Sequence, residues 1–250
     1  MSGNLLFTWV FIFLRSVGVV ILLPQMSGRA LPVTVRLGLA MALATLLVGI
    51  VPAVPLPAGD WPLILAAGGE VLLGLAFGFV GQMLFSAVEL AGRISSSEVG
   101  MSGSPGMSAP DMASEPMAAF LSSFAVVLFF LFGGHLMVIS AFARSFVLAP
   151  PGHPAFNPGA GNLMIDATAR LIELGVRMSA PFIAMNFLVN LAFSALGRAV
   201  PRMSVFVLSA PVRGLAGLGL LSGAGGLLAR YFYGEVSNLP FRLLQLLPPH

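Results

Sequence analysis

Cysteine and lysine are both missing from this chain of 250 residues. The first absence excludes disulfides, cysteine-ligated metal sites and a thiol nucleophile, and it selects no compartment. The second leaves arginine to carry all twelve basic charges. Charge is scarce overall, at 8% of residues, where a soluble domain has about 25%. The net charge of +3, with no basic run, argues against nucleic acid as a partner. What fills the chain instead is apolar: 58% of residues are hydrophobic and the mean hydropathy is +0.99. That balance belongs to a membrane-embedded protein. The first apolar stretch carries Arg15 in its middle, and no small-residue cleavage site follows it. It reads as mature protein and not as a signal peptide.

Six apolar blocks are expected, at Leu5–Leu23, Val33–Ile50, Leu63–Ala91, Met117–Leu148, Leu163–Leu196 and Val205–Phe232. Each is near or above the roughly 20 residues that a bilayer core requires of a helix. They are too long and too evenly apolar for barrel strands of about 10 alternating residues. The expected fold is therefore all-α: a polytopic integral membrane protein of about six long helical segments, arranged as partly broken hairpins in one domain over 1–250. Proline-rich separators at Pro52–Pro62 and Ala149–Pro154 close the blocks, because proline lacks an N–H and clashes with the preceding turn. Phe132-Gly-Gly-His135 should kink the fourth block, and Pro181 should bend or break the fifth.

The loops at Pro24–Arg36, Gly92–Pro116 and Gly197–Arg213 carry six arginines, against three on the opposite side. Arginine excess marks the cytoplasmic face, which places both termini outside. Residues 92–116 read as a flexible Gly/Met/Pro loop and residues 197–213 as a cytoplasmic-side hairpin loop bearing Arg198, Pro201, Arg202 and Phe206.

Several polar residues interrupt the apolar blocks. Arg15 costs about 2.5–3.5 kcal/mol on insertion scales if it lies mid-membrane, so it needs a partner; Glu70 and Glu89 are the candidates. Gly74, Gly78 and Gly81 share a helix face with Glu70 and suit close helix packing. Asn186 and Asn190, one helical turn apart, suit interhelical hydrogen bonding. His135, His153 and His250 have no metal-ligand spacing, and no nucleophile–base set or phosphate loop is present. No catalytic residue, metal or cofactor is expected.

Gly100–Met117 holds four of the thirteen methionines, at Met101, Met107, Met112 and Met117, among glycine, proline and serine. Methionine adapts its shape to whatever presses on it, and glycine with proline prevents regular structure. Two readings stand: an ordinary linker, or a soft seal that folds back into a cavity.

An ordered set of short motifs then carries a resemblance. It runs from Arg15-Ser-Val-Gly18, Pro24 and Leu31-Pro-Val-Thr-Val-Arg36 through Glu70-Val-Leu-Leu-Gly74-Leu-Ala-Phe-Gly78 and Glu89-Leu-Ala-Gly92. It continues with Phe132-Gly-Gly-His135, Ala180-Pro181, Asn190, Arg198-Ala-Val-Pro201, Val205-Phe206 and Pro211. Over nearly its whole length the chain resembles the FliR/SctT export-gate family of type III secretion systems, and its flagellar branch in particular. It departs from the family pattern at Arg202, Ser204 and Arg213.

The resemblance implies a non-enzymatic subunit of the flagellar protein export gate, assembled in the bacterial inner membrane at the flagellar basal body. The implied partners are FliP, FliQ and FlhB homologues, with unfolded export substrates passing through. It also implies that the loop after Gly92 plugs the closed channel. A small-solute transporter is the alternative reading, and it would require two similar halves meeting at a midplane site; no such halves are visible.

Overall fold

The computed structural model describes residues 3–22, 32–52, 59–100, 116–199 and 205–248. These are helical with short turns, and no strand occurs among them. In chain order the helices are α1 (Gly3–Leu22), α2 (Val33–Leu47), α3 (Asp60–Val99), α4 (Pro116–Leu131), α5 (Gly134–Leu148), α6 (Ala160–Ala199) and α7 (Val205–Gln245). Only helices and closed barrels satisfy every backbone group without water, and the evenly apolar composition leaves the helix as the stable choice.

Four helices are long and apolar enough to cross a membrane: α1, α3, α6 and α7. A fifth span arises if α4 and α5 count together. This is an all-α membrane protein, but the expected six long segments need correcting. The second block shrinks to the 15 residues of α2, too few to span about 30 Å of hydrocarbon. The fourth block is divided at Gly133, and its halves are bent by 65°. Gly133 sits at φ +69°, a left-handed conformation that glycine adopts without steric penalty.

Helix bounds also differ from expectation. Residues 92–99, expected as loop, continue α3; residues 197–199 continue α6, and residues 205–213 begin α7. Of the bend or break expected at Pro181, the break does not occur, since α6 runs through it. Interior proline removes one helical donor and crowds the carbonyl one turn earlier, yet the helix continues on both sides of it. Three helices thereby reach 40 or 41 residues, about 60 Å each at 1.5 Å per residue.

The chain packs as two compact units. The first comprises Met1–Leu84, Gly133–Thr168 and Val236–His250. Its core includes Ile12, Val20, Leu73, Phe146, Leu243 and Leu246. Here α1 packs on α2, with Trp9 Nε1 donating to Thr45 Oγ1 at 3.2 Å. Asn157 ties the end of α7 to the start of α6. Its side-chain amide donates to the Gln245 carbonyl and its backbone N–H to that of Leu246. Its Oδ1 accepts from the Gly159 N–H, so one residue satisfies orphan groups at both helix ends.

The second unit comprises Phe85–Phe132 and Ala169–Glu235. Leu121, Phe182, Leu228 and Phe232 are buried there. Phe85 meets both Phe129 and Phe232 edge-on, at 5.3 and 6.1 Å between ring centres. This is the geometry that the ring quadrupoles favour.

Candidate functional site

In the first unit, a guanidinium fixes the contact between three helices. Arg15 of α1 is fully buried, as is Glu70 of α3. Arg15 Nε donates to Glu70 Oε2 at 2.6 Å. Its NH1 donates to Ser145 Oγ at 3.0 Å and its NH2 to the Ala149 carbonyl at 2.9 Å. The guanidinium carbon lies 4.2 Å over the Phe146 ring of α5, a cation–π contact. The second carboxylate oxygen of Glu70 accepts the Gly152 N–H at 2.9 Å. A buried ion pair offsets its desolvation only when its remaining hydrogen-bonding positions are filled; here both partners are multiply satisfied. Gly152 is required twice over. It sits at φ +78°, and a Cβ there would lie 3.0 Å from the Phe11 ring.

Small residues bring α1 and α3 together beside this pair. A Cβ on Gly18 would lie 2.7 Å from the backbone of Val71 and Leu75. One on Gly74 would overlap the Arg15 carbonyl, and one on Gly78 would lie 2.7 Å from Leu22 Cβ. Backbones this close gain dispersion contacts that larger side chains forbid.

In the second unit, the end of α3 meets α4, α6 and α7. Val99, at the end of α3, and Met117, in the first turn of α4, are both buried. A Cβ on Gly217 of α7 would lie 2.5 Å from a Val99 methyl, and one on Gly92 would lie 2.6 Å from Ala118 Cα. Across α3, α6 and α7 runs a chain of polar contacts. Asn186 Nδ2 donates to Glu98 Oε2 at 2.5 Å. Asn190 Nδ2 donates to Asn186 Oδ1 at 3.2 Å. Arg213 NH2 donates to Asn190 Oδ1. Among the described residues no three His, Asp or Glu side chains are grouped as a metal site requires.

A family model of bacterial export proteins, family 1, matches residues 6–239, which takes in both units. The chain belongs to that family. Among its relatives is the flagellar biosynthetic protein FliR of Escherichia coli (strain K12), 29% identical over 239 residues, covering 94% of this chain and 92% of that protein. FliR of Caulobacter vibrioides is 29% identical, covering 84% of this chain and 85% of its own. The Yop proteins translocation protein T of Yersinia pestis is 28% identical, covering 83% and 82%.

In this member of the bacterial export proteins, the residues singled out from sequence do not all come together. Arg15, Glu70, Gly74 and Gly78 come together in the first unit, and Gly81 follows them on α3, buried. Glu89 does not join Arg15; it pairs with Arg93 on its own helix at 2.7 Å, with both side chains partly exposed. Asn186 and Asn190 join the polar chain of the second unit. Met101, Met107, Met112, Pro201 and Arg202 lie outside the described residues; Arg198 is exposed near the end of α6, and Phe206 lies at the start of α7.

Sequence alone does not single out Glu98 and Arg213 as binding partners, because both fall in stretches expected to be loops. A signal for them exists nonetheless. Two amides one turn apart in an apolar helix need partners, and the nearest charged residues on neighbouring segments supply them.

Proposed function

We propose that this chain is a non-enzymatic subunit of the bacterial flagellar type III protein export gate. It sits in the inner membrane at the flagellar basal body. There it helps form the channel through which unfolded flagellar subunits leave the cell. FliP, FliQ and FlhB homologues are its partners, and its face bearing residues 197–213 is cytoplasmic.

The observation that carries this reading is the family match over residues 6–239, joined by FliR relatives that align along nearly their whole length. The surface supports it as well. Phe187, Leu188 and Leu191 on α6 are each more than half exposed, as befits helices that meet other polypeptides or lipid. Gly100–Met117 is the gate's plug in this reading. Its methionines supply an adaptable apolar seal, and buried Val99 and Met117 hold its two ends.

The test is genetic and biochemical together. Cells without the chain are expected to stop exporting flagellar subunits and to stop swimming, and the tagged chain is expected to bring down the FliP and FliQ homologues from detergent extract. Normal export in its absence, or purification as a lone monomer that carries a metabolite into vesicles, overturns the proposal.

A further inference from the structure

The polar chain across α3, α6 and α7 has a direction. Every donor in it points from Arg213 toward Glu98: guanidinium to Asn190 oxygen, Asn190 amide to Asn186 oxygen, Asn186 amide to carboxylate. An asparagine offers a donor on one side of its amide and an acceptor on the other. Once a carboxylate fixes which side of Asn186 faces Glu98, the opposite side is fixed as well, and so is the orientation of Asn190. The cation at the far end demands that same orientation. Hydrogen bonds to charged groups are the strong ones, and bonds in series polarise one another.

We infer that Glu98, Asn186, Asn190 and Arg213 act as one polarised relay that holds the end of α3 against α6 and α7, so that Glu98 and Arg213 are coupled through two amides without touching. The relay belongs to the chain itself and does not depend on the export role.

Its position gives it consequence. Glu98 lies in the last turn of α3, next to Val99, whose side chain abuts Gly217 of α7. Asn186 and Asn190 lie on the distal half of α6, and Arg213 lies near the start of α7. The relay therefore clamps the helix end from which residues 101–115 depart.

The directionality makes a prediction that independent contacts do not. Asn190→Asp gives Arg213 a better acceptor, so a purely local contact would be strengthened. In the relay it does harm, because the Asn186 amide is then asked to donate to a carboxylate on each side. Glu98→Lys by itself also does harm, because it reverses Asn186 and Asn190 and turns a donor toward Arg213. Together the two substitutions restore a complete chain. The introduced ammonium donates to the oxygen of a reversed Asn186. The Asn186 amide then donates to the introduced carboxylate, which also accepts from Arg213.

The absence of native cysteine provides the readout. A Cβ on Gly217 would lie 3.2 Å from Val99 Cβ, a few tenths of an Å short of disulfide geometry. The Val99 methyls that crowd it are removed in a Val99→Cys/Gly217→Cys parent. The rate of disulfide formation under a copper–phenanthroline oxidant, in membranes holding the whole assembly, then reports how closely α3 and α7 are held.

Loss of one charge-assisted hydrogen bond predicts about a tenfold slower rate for Asn190→Asp and for Glu98→Lys. The combined substitution is expected to return to within about twofold of the parent, the spread of non-coupled changes. Should a single substitution fail to accumulate in the membrane, restored accumulation of the combined one reads the same coupling. Asn190→Asp at the parent rate, a combined substitution no faster than its slower component, or failure of the combined chain to accumulate overturns the relay.

Discussion

At the scale of single residues, Arg15 shows what a buried charge requires. It is held by Glu70, Ser145 and the Ala149 carbonyl, and it stacks on Phe146. Removing one member strands the other in an apolar core. Arg15→Met or Glu70→Leu alone is expected to destabilise the chain by about 3–5 kcal/mol. The pair of substitutions together is expected to be milder than either, since no charge is left stranded. A double-mutant cycle on thermal unfolding in detergent measures the coupling; additive losses would show that the pair does not act as a unit. The need for this partner was legible in the sequence, because an arginine amid apolar neighbours cannot stand alone. The choice between Glu70 and Glu89 was not. Both carboxylates share one long helix, and only the packing of α1 against that helix decides which of them faces Arg15.

At the scale of helices, the short side chains of Gly18, Gly74 and Gly78 decide how near α1 and α3 approach. A Cβ at position 74 would overlap backbone, not a flexible side chain, so even alanine cannot be absorbed by a rotamer change. Gly74→Ala is expected to cost about 1–3 kcal/mol, in the range of overpacked cores. Gly38→Ala, on α2 with nothing near its position, is expected to leave stability unchanged or to raise it by up to about 1 kcal/mol, since alanine is the better helix former. Comparing the two melting temperatures checks the claim, and equal values would refute it.

Helix bounds were the least legible part of the fold. Glycine and three serines give 92–99 the composition of a loop, yet Gly92 seats Ala118 and Val99 abuts Gly217, and those contacts keep α3 wound. Pro181 does not end α6, because the loss of one donor leaves the rest of a long apolar helix in place. The break at Gly133 was legible because two adjacent glycines, Gly133 and Gly134, interrupt an apolar block, and glycine takes the left-handed conformation found at Gly133 without penalty.

At the scale of the whole molecule, the long helices and the segment between Val99 and Met117 set the proposed role. Removing residues 102–113 is expected to leave assembly with partners intact while making the membrane conduct ions and small solutes. Current across a planar bilayer, or dye uptake by whole cells, measures this; a tight membrane with the shortened chain would mean that the seal lies in another subunit. The membrane class was legible from composition alone, since so few charges accompany so much apolar surface. The assignment to the bacterial export proteins was legible only from the ordered motifs, because apolar helices of this kind serve many unrelated proteins.

Helices of about 60 Å outrun a hydrocarbon layer of about 30 Å, and α6 exposes large apolar side chains from Ile165 to Leu196. Wherever lipid ends, those side chains need cover that the described residues do not provide. A copy synthesised before its mates are present is therefore the form most open to aggregation and proteolysis. In the proposed assembly, the supply of partner subunits is expected to limit how many copies persist in the cell.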